Sequence, residues 1–212
     1  MKNIFPSLLM ATTFAALSAT ASIAQSHSTF TATPGVYDPG NTGLVRAELI
    51  TLLVPKTVDR HRRSVYLFLQ KNGLTSTNAA AGADFGGVAG IALNSLSYEY
   101  TPNSACGGGS PRFDVVTDSG AGFHFIGGCA NGTKSVNPQN GNLVVSFDPT
   151  NPAQAFPVVL PTERVTAMDI LVDEGTDQGS GFAYIQNIKI NGSTVGLIPA
   201  SHSFVPHSNH HH

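Results

Sequence analysis

Two cysteines, Cys106 and Cys129, bracket the clearest strand-turn-strand pattern in this 212-residue chain, and their placement restricts the fold more than any other feature. Arg112 to Val116 and Phe123 to Gly127 read as strands separated by Thr-Asp-Ser-Gly-Ala-Gly, whose glycines supply the positive φ values that a hairpin turn needs. A hairpin closing about Ser119 and Gly120 sets Cys129 opposite Ser110. Gly107, Gly108 and Gly109 must then fold back to bring Cys106 within bonding range, a reversal that glycine makes at little steric cost. The predicted Cys106–Cys129 bridge closes a loop of 23 positions, which in the chain-entropy account is worth roughly 3 to 3.5 kcal/mol.

Alternation along the two runs assigns Phe113 and Val115 with Phe123 and Phe125 to a core face, and Arg112 and Asp114 with His124 to the other. Leu96 to Tyr100 repeats the pattern, with Leu96, Tyr98 and Tyr100 on one side and Ser97 and Glu99 on the other. The expectation is a three-stranded meander whose outer face carries Glu99, Arg112, Asp114 and His124, the candidate ligand-binding residues. Such a set can hold a sugar or move protons. The plainer reading is a solvated polar face, with Glu99 and Arg112 forming a surface ion pair worth at most about 1 kcal/mol.

Residues 1–24 combine an early Lys2, an apolar run from Leu8 to Leu17 and a small-residue ending at Ser22-Ile23-Ala24, the pattern of a secretory signal peptide. The expected product is a secreted protein, extracellular or periplasmic, with one domain over 25–200 and a His-rich tail over 201–212. An oxidising destination agrees with the paired cysteines. The net charge of −2 gives no reason to expect a nucleic-acid partner, and no later apolar run is long enough to span a bilayer.

Low charge, 22 glycines, 13 prolines and no tryptophan point to many short strands joined by turns. Strand-like runs fall near Leu44 to Val54, Val65 to Gln70, Leu143 to Phe147, Phe156 to Leu160, Val165 to Val172 and Phe182 to Ile190. The Ala/Gly-rich passage from Asn78 to Gly90 reads as a loop or edge segment. Asn-Gly pairs beginning at Asn72, Asn131, Asn140 and Asn191 mark turns, the last flanked directly by strand-like sequence on both sides. The predicted class is all-β, a single jelly-roll-type β-sandwich of two antiparallel sheets. An immunoglobulin-like sandwich is the alternative, and it would ordinarily carry a tryptophan between distant cysteines.

The stretches CGGGSPRFDVV from Cys106 and VDEGTDQGSGFAYIQNIKING from Val172 to Gly192 together resemble a group of exported bacterial β-sandwich proteins of unassigned activity. The acidic loop followed by a strand ending in Asn-Ile-x-x-Asn-Gly is also similar to the final strands of carbohydrate-binding jelly rolls. That resemblance implies a binding module for a glycan or another extracellular polymer. The jelly-roll pattern commonly has aspartate before Asn-Ile, where this chain has Gln186. Read from the residues themselves, Asp173, Glu174 and Asp177 offer hard oxygen ligands close together, suited to Ca²⁺, although the spacing is not that of an EF-hand and a solvated acidic turn is the plainer reading. Asp148 and Asp169 are weaker additions.

Arg60-His61-Arg62-Arg63 is the one dense basic run, suited to anionic glycans or to keeping a strand edge soluble. His210, His211 and His212 would hold Zn²⁺ or Ni²⁺ loosely if native, and equally read as a purification tag. For catalysis there is no Gly-x-Ser-x-Gly elbow, no His-Glu-x-x-His and no cysteine left over. Glu99 and Asp114 form the conceivable carboxylate pair, if their strands are neighbours. Three function classes follow: a non-catalytic polymer-binding module, a structural or self-associating extracellular protein, and a polysaccharide hydrolase or lyase. With no tryptophan for stacking, a binder would rely on tyrosines such as Tyr37, Tyr66 and Tyr184.

Overall fold

Residues 29–54, 62–173, 180–200 and 204–207 are described by the structure, a computed structural model. The segment 1–24, Arg60 and His61, Glu174 and Asp177, and His210 to His212 lie outside the described residues. Among the described residues thirteen strands follow one another: β1 (Phe30–Tyr37), β2 (Val45–Val54), β3 (Arg62–Asn72), β4 (Ala80–Gly86), β5 (Leu96–Tyr100), β6 (Arg112–Thr117), β7 (Phe123–Gly127), β8 (Thr133–Val136), β9 (Leu143–Phe147), β10 (Ala155–Phe156), β11 (Val165–Val172), β12 (Ser180–Ile190) and β13 (Ser193–Leu197). The described residues are all-β apart from a single 3₁₀ turn, Cys129–Asn131. No helix among them is long and apolar enough to cross a membrane.

The hydrogen-bonded path runs β10-β7-β6-β11-β4-β1-β13-β12-β5-β9-β8, with β3 on β12 and β2 on β3. Every pairing is antiparallel except β1 with β13, the parallel seam where one limb of this curled sheet passes into the other. The limbs close over a shared core, because Phe113 of β6 meets the rings of Tyr98 in β5 and Phe147 in β9 at 5.8 and 6.0 Å.

The β6–β7 hairpin has the expected register, with Phe113 opposite Ile126 and Val115 opposite His124. That register overturns the expected faces. A turn centred between Ser119 and Gly120 pairs odd positions with even ones, so His124 and Ile126 join Phe113 and Val115 on the core side, while Phe125 joins Arg112 and Asp114. His124 is accordingly 0% exposed and Phe125 38%. The expected meander is corrected too: β5 pairs with β12 and β9, and β6 with β7 and β11.

Ala80–Gly86 is an inner strand between β1 and β11 rather than a loop or edge. Its small residues are required because both faces are covered. Ala81 and Ala83 face the core, and a Cβ at Gly82 would overlap the ring of Phe204, which docks back from the C-terminal segment onto Ala80 and Leu171. β1 contains Pro34 yet also lies inside the sheet. Its parallel partner reaches only Phe30 to Ala32, so at Pro34 the proline has just one strand neighbour, and its missing N–H breaks no ladder. The Asn191-Gly192 turn joins β12 to β13 as expected, both residues having positive φ. The Asn191 amide also binds the chain at Ala92, Asn94 and Ser95.

Candidate binding face and a buried charge network

Leu67, Leu69, Ala183 and Ile185 point into the core with no exposed area. The alternate residues of β3 and β12 therefore point the other way, and four of them are aromatic. The Tyr184 ring centroid lies 5.0 Å from that of Phe68, 5.4 Å from Phe182 and 6.5 Å from Tyr66. Phe68 and Tyr66 are buried and lie beside the half-buried Phe182 and Tyr184 on the neighbouring strand. From β2, the Arg46 guanidinium covers Phe68 at 5.6 Å and pairs with Glu48 at 2.7 Å. Sequence reading named Tyr66 and Tyr184 and missed Phe68 and Phe182. The available signal was an aromatic at every second position in Tyr66-Leu67-Phe68 and Phe182-Ala183-Tyr184. Tyr37 packs instead against the Phe204 cluster.

Glu99 continues this face, since β5 places it opposite Gln186. Its carboxylate accepts from Asn137 Nδ2 at 2.9 Å, Asn140 Nδ2 at 3.2 Å and Gln186 Nε2 at 2.9 Å. Burial pushes the Glu99 carboxyl up, but the amides of Asn187, Asn140, Asn137 and Gln186 together outweigh it and hold the group below its ordinary value. A carboxyl depressed in the folded state contributes stability that is fully present above its unfolded value, about 4.3, and is lost as pH falls through the folded one. Glu99→Gln turns an acceptor into an amide facing amides, and is expected to cost about 1–2 kcal/mol at pH 7. Urea unfolding at pH 7 and pH 3 checks it. The difference from wild type should shrink at pH 3, and a difference independent of pH would assign the effect to packing.

The other three expected site residues lie on the opposite limb. Arg112, 5% exposed, donates through Nε and Nη2 to Asp114 at 2.8 and 3.3 Å, and through Nη1 and Nη2 to Asp173 at 2.6 and 2.8 Å. Phe125 lies 5.1 Å from the guanidinium. The Glu99–Arg112 surface pair expected from sequence is replaced by this buried network, in which both oxygens of Asp173 are committed to Arg112. Asp114, Asp169 and Asp84 stand opposite one another across β6, β11 and β4. Burial first, then the charges of Asp114 and Asp84, push the Asp169 carboxyl well above the usual carboxylate range. His124 is held by Pro157 O at 3.0 Å on Nδ1 and by Glu163 at 2.9 Å and Thr117 Oγ1 at 3.0 Å on Nε2. Both ring nitrogens are thus engaged by groups of the protein, Nδ1 by a carbonyl and Nε2 by a carboxylate and a hydroxyl.

The structure thus brings Arg112 and Asp114 together and separates them from Glu99 and from His124. Glu99 and Asp114 are not on neighbouring strands, which removes the carboxylate pair considered for glycoside cleavage. Cys106 and Cys129 are bonded, with Cα atoms 5.0 Å apart, and the three glycines fold back as expected, Gly107 and Gly108 accepting from Ala130 and Gly128.

No protein-family model matches the chain, and no curated protein matches it. Among solved structures it is similar to the family 11 carbohydrate-binding module of the cellulosomal cellulase Lic26A-Cel5E of Clostridium thermocellum, at 13% identity and a TM-score of 0.41, over 81% of this chain and 91% of that one. At that level of superposition the likeness assigns no function.

Proposed function

We propose that the protein is a secreted, non-catalytic module that holds a glycan or another extracellular polymer across the face formed by β2, β3, β12 and β5, within a two-sheet jelly-roll-type sandwich. The observation that supports this is the packed aromatic row, with Phe182 and Tyr184 still half-buried beside the amides and carboxylate around Glu99. Sugar rings stack on aromatic faces through their C–H surfaces and satisfy their hydroxyls with planar amides and carboxylates, which accept and donate in fixed directions. Rings already fixed by one another lose little freedom on binding. Of the four residues first singled out, Glu99 is the one assigned to the ligand. Arg112, Asp114 and His124 act as support for the opposite limb. The disulfide is consistent with export, and the sequence pattern of residues 1–24 supplies the route.

The test is a glycan and cell-wall polymer array, followed by titration of the best polymer against Tyr184→Ala and Phe182→Ala. Each ring should contribute about 1.5 kcal/mol, so each replacement should weaken binding roughly tenfold. Absence of binding to every polymer, or binding that neither replacement changes, would remove this face from consideration and favour the structural, self-associating reading.

A further inference from the structure

Away from the aromatic face, the outer side of β4 and β11 carries a second cluster. Asp84 of β4 and Asp169 of β11 are cross-strand partners, and the C-terminal segment brings His207 over them, so that one ligand atom from each lies within 4.8 Å of the others. Asp169 is fully buried. Its Oδ2 accepts the His207 backbone N–H at 2.9 Å, whereas its Oδ1 has no hydrogen-bond partner among the described residues. A buried carboxylate oxygen left unsatisfied costs free energy, and a cation bound beside it would remove that cost.

The geometry points to Asp84, Asp169 and His207 as a binding site for a divalent transition cation, Zn²⁺ being the natural occupant. The donor set decides the class. Ca²⁺ and Mg²⁺ take oxygen ligands, whereas two carboxylates with an imidazole nitrogen are a Zn²⁺ set. Ligands around tetrahedral Zn²⁺, with bonds of about 2.1 Å, lie about 3.4 Å apart, so the cluster needs only small side-chain adjustments to close on an ion. Of the expected Ca²⁺ set Asp173, Glu174 and Asp177, the described member Asp173 is not part of this cluster and already serves Arg112. The segment that delivers His207 is anchored by Phe204, which is 1% exposed. Zn²⁺ would therefore clip this segment to β4 and β11.

The loose histidines at 210–212 would mask such a site, so the experiment uses the full chain carrying His210→Ser, His211→Ser and His212→Ser. Isothermal titration with ZnCl₂ should show one saturable site per chain, a raised melting midpoint, and no saturable binding of CaCl₂. Asp84→Asn, at a partly exposed position, and His207→Ala should each weaken Zn²⁺ binding at least tenfold while leaving the metal-free melting midpoint close to that of the parent. Co²⁺ in place of Zn²⁺ should give the visible absorption of a tetrahedral ion. Absence of saturable Zn²⁺ binding, or binding that survives Asp84→Asn and His207→Ala unchanged, would overturn the assignment, and so would Ca²⁺ binding in preference to Zn²⁺.

Discussion

Replacing Arg112 with alanine is expected to lower the unfolding free energy by about 3–5 kcal/mol, the cost of breaking a buried ion pair by removing one partner. The reason lies in what remains. Asp114 is fully buried and directly opposite Asp169, so removing the guanidinium takes away its paired cation beside a second buried carboxyl. Asp173 loses the two bonds from Arg112, and Gly109 O loses the Nη1 contact at 3.2 Å. The ring of Phe125 loses its cationic cover as well. Arg112→Lys should recover only part of this, because an ammonium cannot present the two forks that engage Asp114 and Asp173 together. Arg112→Met combined with Asp114→Leu should recover more than either single replacement, since the stranded charge goes with its partner. Equilibrium urea unfolding of the five variants, the two single replacements Arg112→Met and Asp114→Leu included, measures it. A loss below about 1 kcal/mol for Arg112→Ala would return the residue to the class of exposed ion pairs.

The charge network also shows where the sequence was legible and where it was not. The hairpin register and the Cys106–Cys129 bond depend on residues close in sequence: glycines with positive φ at Gly120 and Gly122, and a glycine run beside the first cysteine. Asn191-Gly192 was readable for the same reason. The faces of β7 were readable too, because a register that pairs odd with even positions already places His124 inside. The partners of β5 were not, since Leu96 to Tyr100 pairs with β12 from far along the chain and with β9. Nor was the bond from Arg112 to Asp173, separated by 61 positions.

β4 is the plainest case of distant control. An Ala/Gly-rich run has low strand propensity, and reading it as a loop follows from composition alone. It is an inner strand because β1 and β11 pair on either side of it, and its small residues leave room for Phe204, whose ring occupies the space a side chain at Gly82 would take and whose Cβ and backbone occupy that at Gly35. The aromatic row lay between these extremes. Its alternation was visible in β3 and β12 separately, but that the two alternations fall on one face depends on Tyr184 lying opposite Phe68, a pairing set by the core residues behind them.

Removing the disulfide by Cys106→Ala with Cys129→Ala is expected to lower stability by about 3 kcal/mol and the melting midpoint by roughly 6–12 °C, on the loop-entropy account and the usual scaling for a chain of this size. The two cysteines belong to different limbs of the sheet. Cys106 follows a segment that pairs along β12, with Ala105 N donating to Phe182 O at 2.7 Å and Ser104 Oγ accepting from Tyr184 N at 3.0 Å. Cys129 follows β7 and is buried within the common core. The bond therefore joins the hairpin limb to the strand that carries Phe182 and Tyr184, and without it the unfolded chain gains the freedom of the loop between them. Alanine at Cys129 also leaves a small void, which adds to the loss. Reducing the wild-type protein with a thiol should produce nearly the same midpoint as the double replacement, because both release the same loop. Calorimetry with and without reductant checks the two routes side by side. A midpoint that moves by less than about 2 °C on both would mean that the glycine turn and the strand pairing hold these segments together without the bond, and that its loop constrains an already compact unfolded chain.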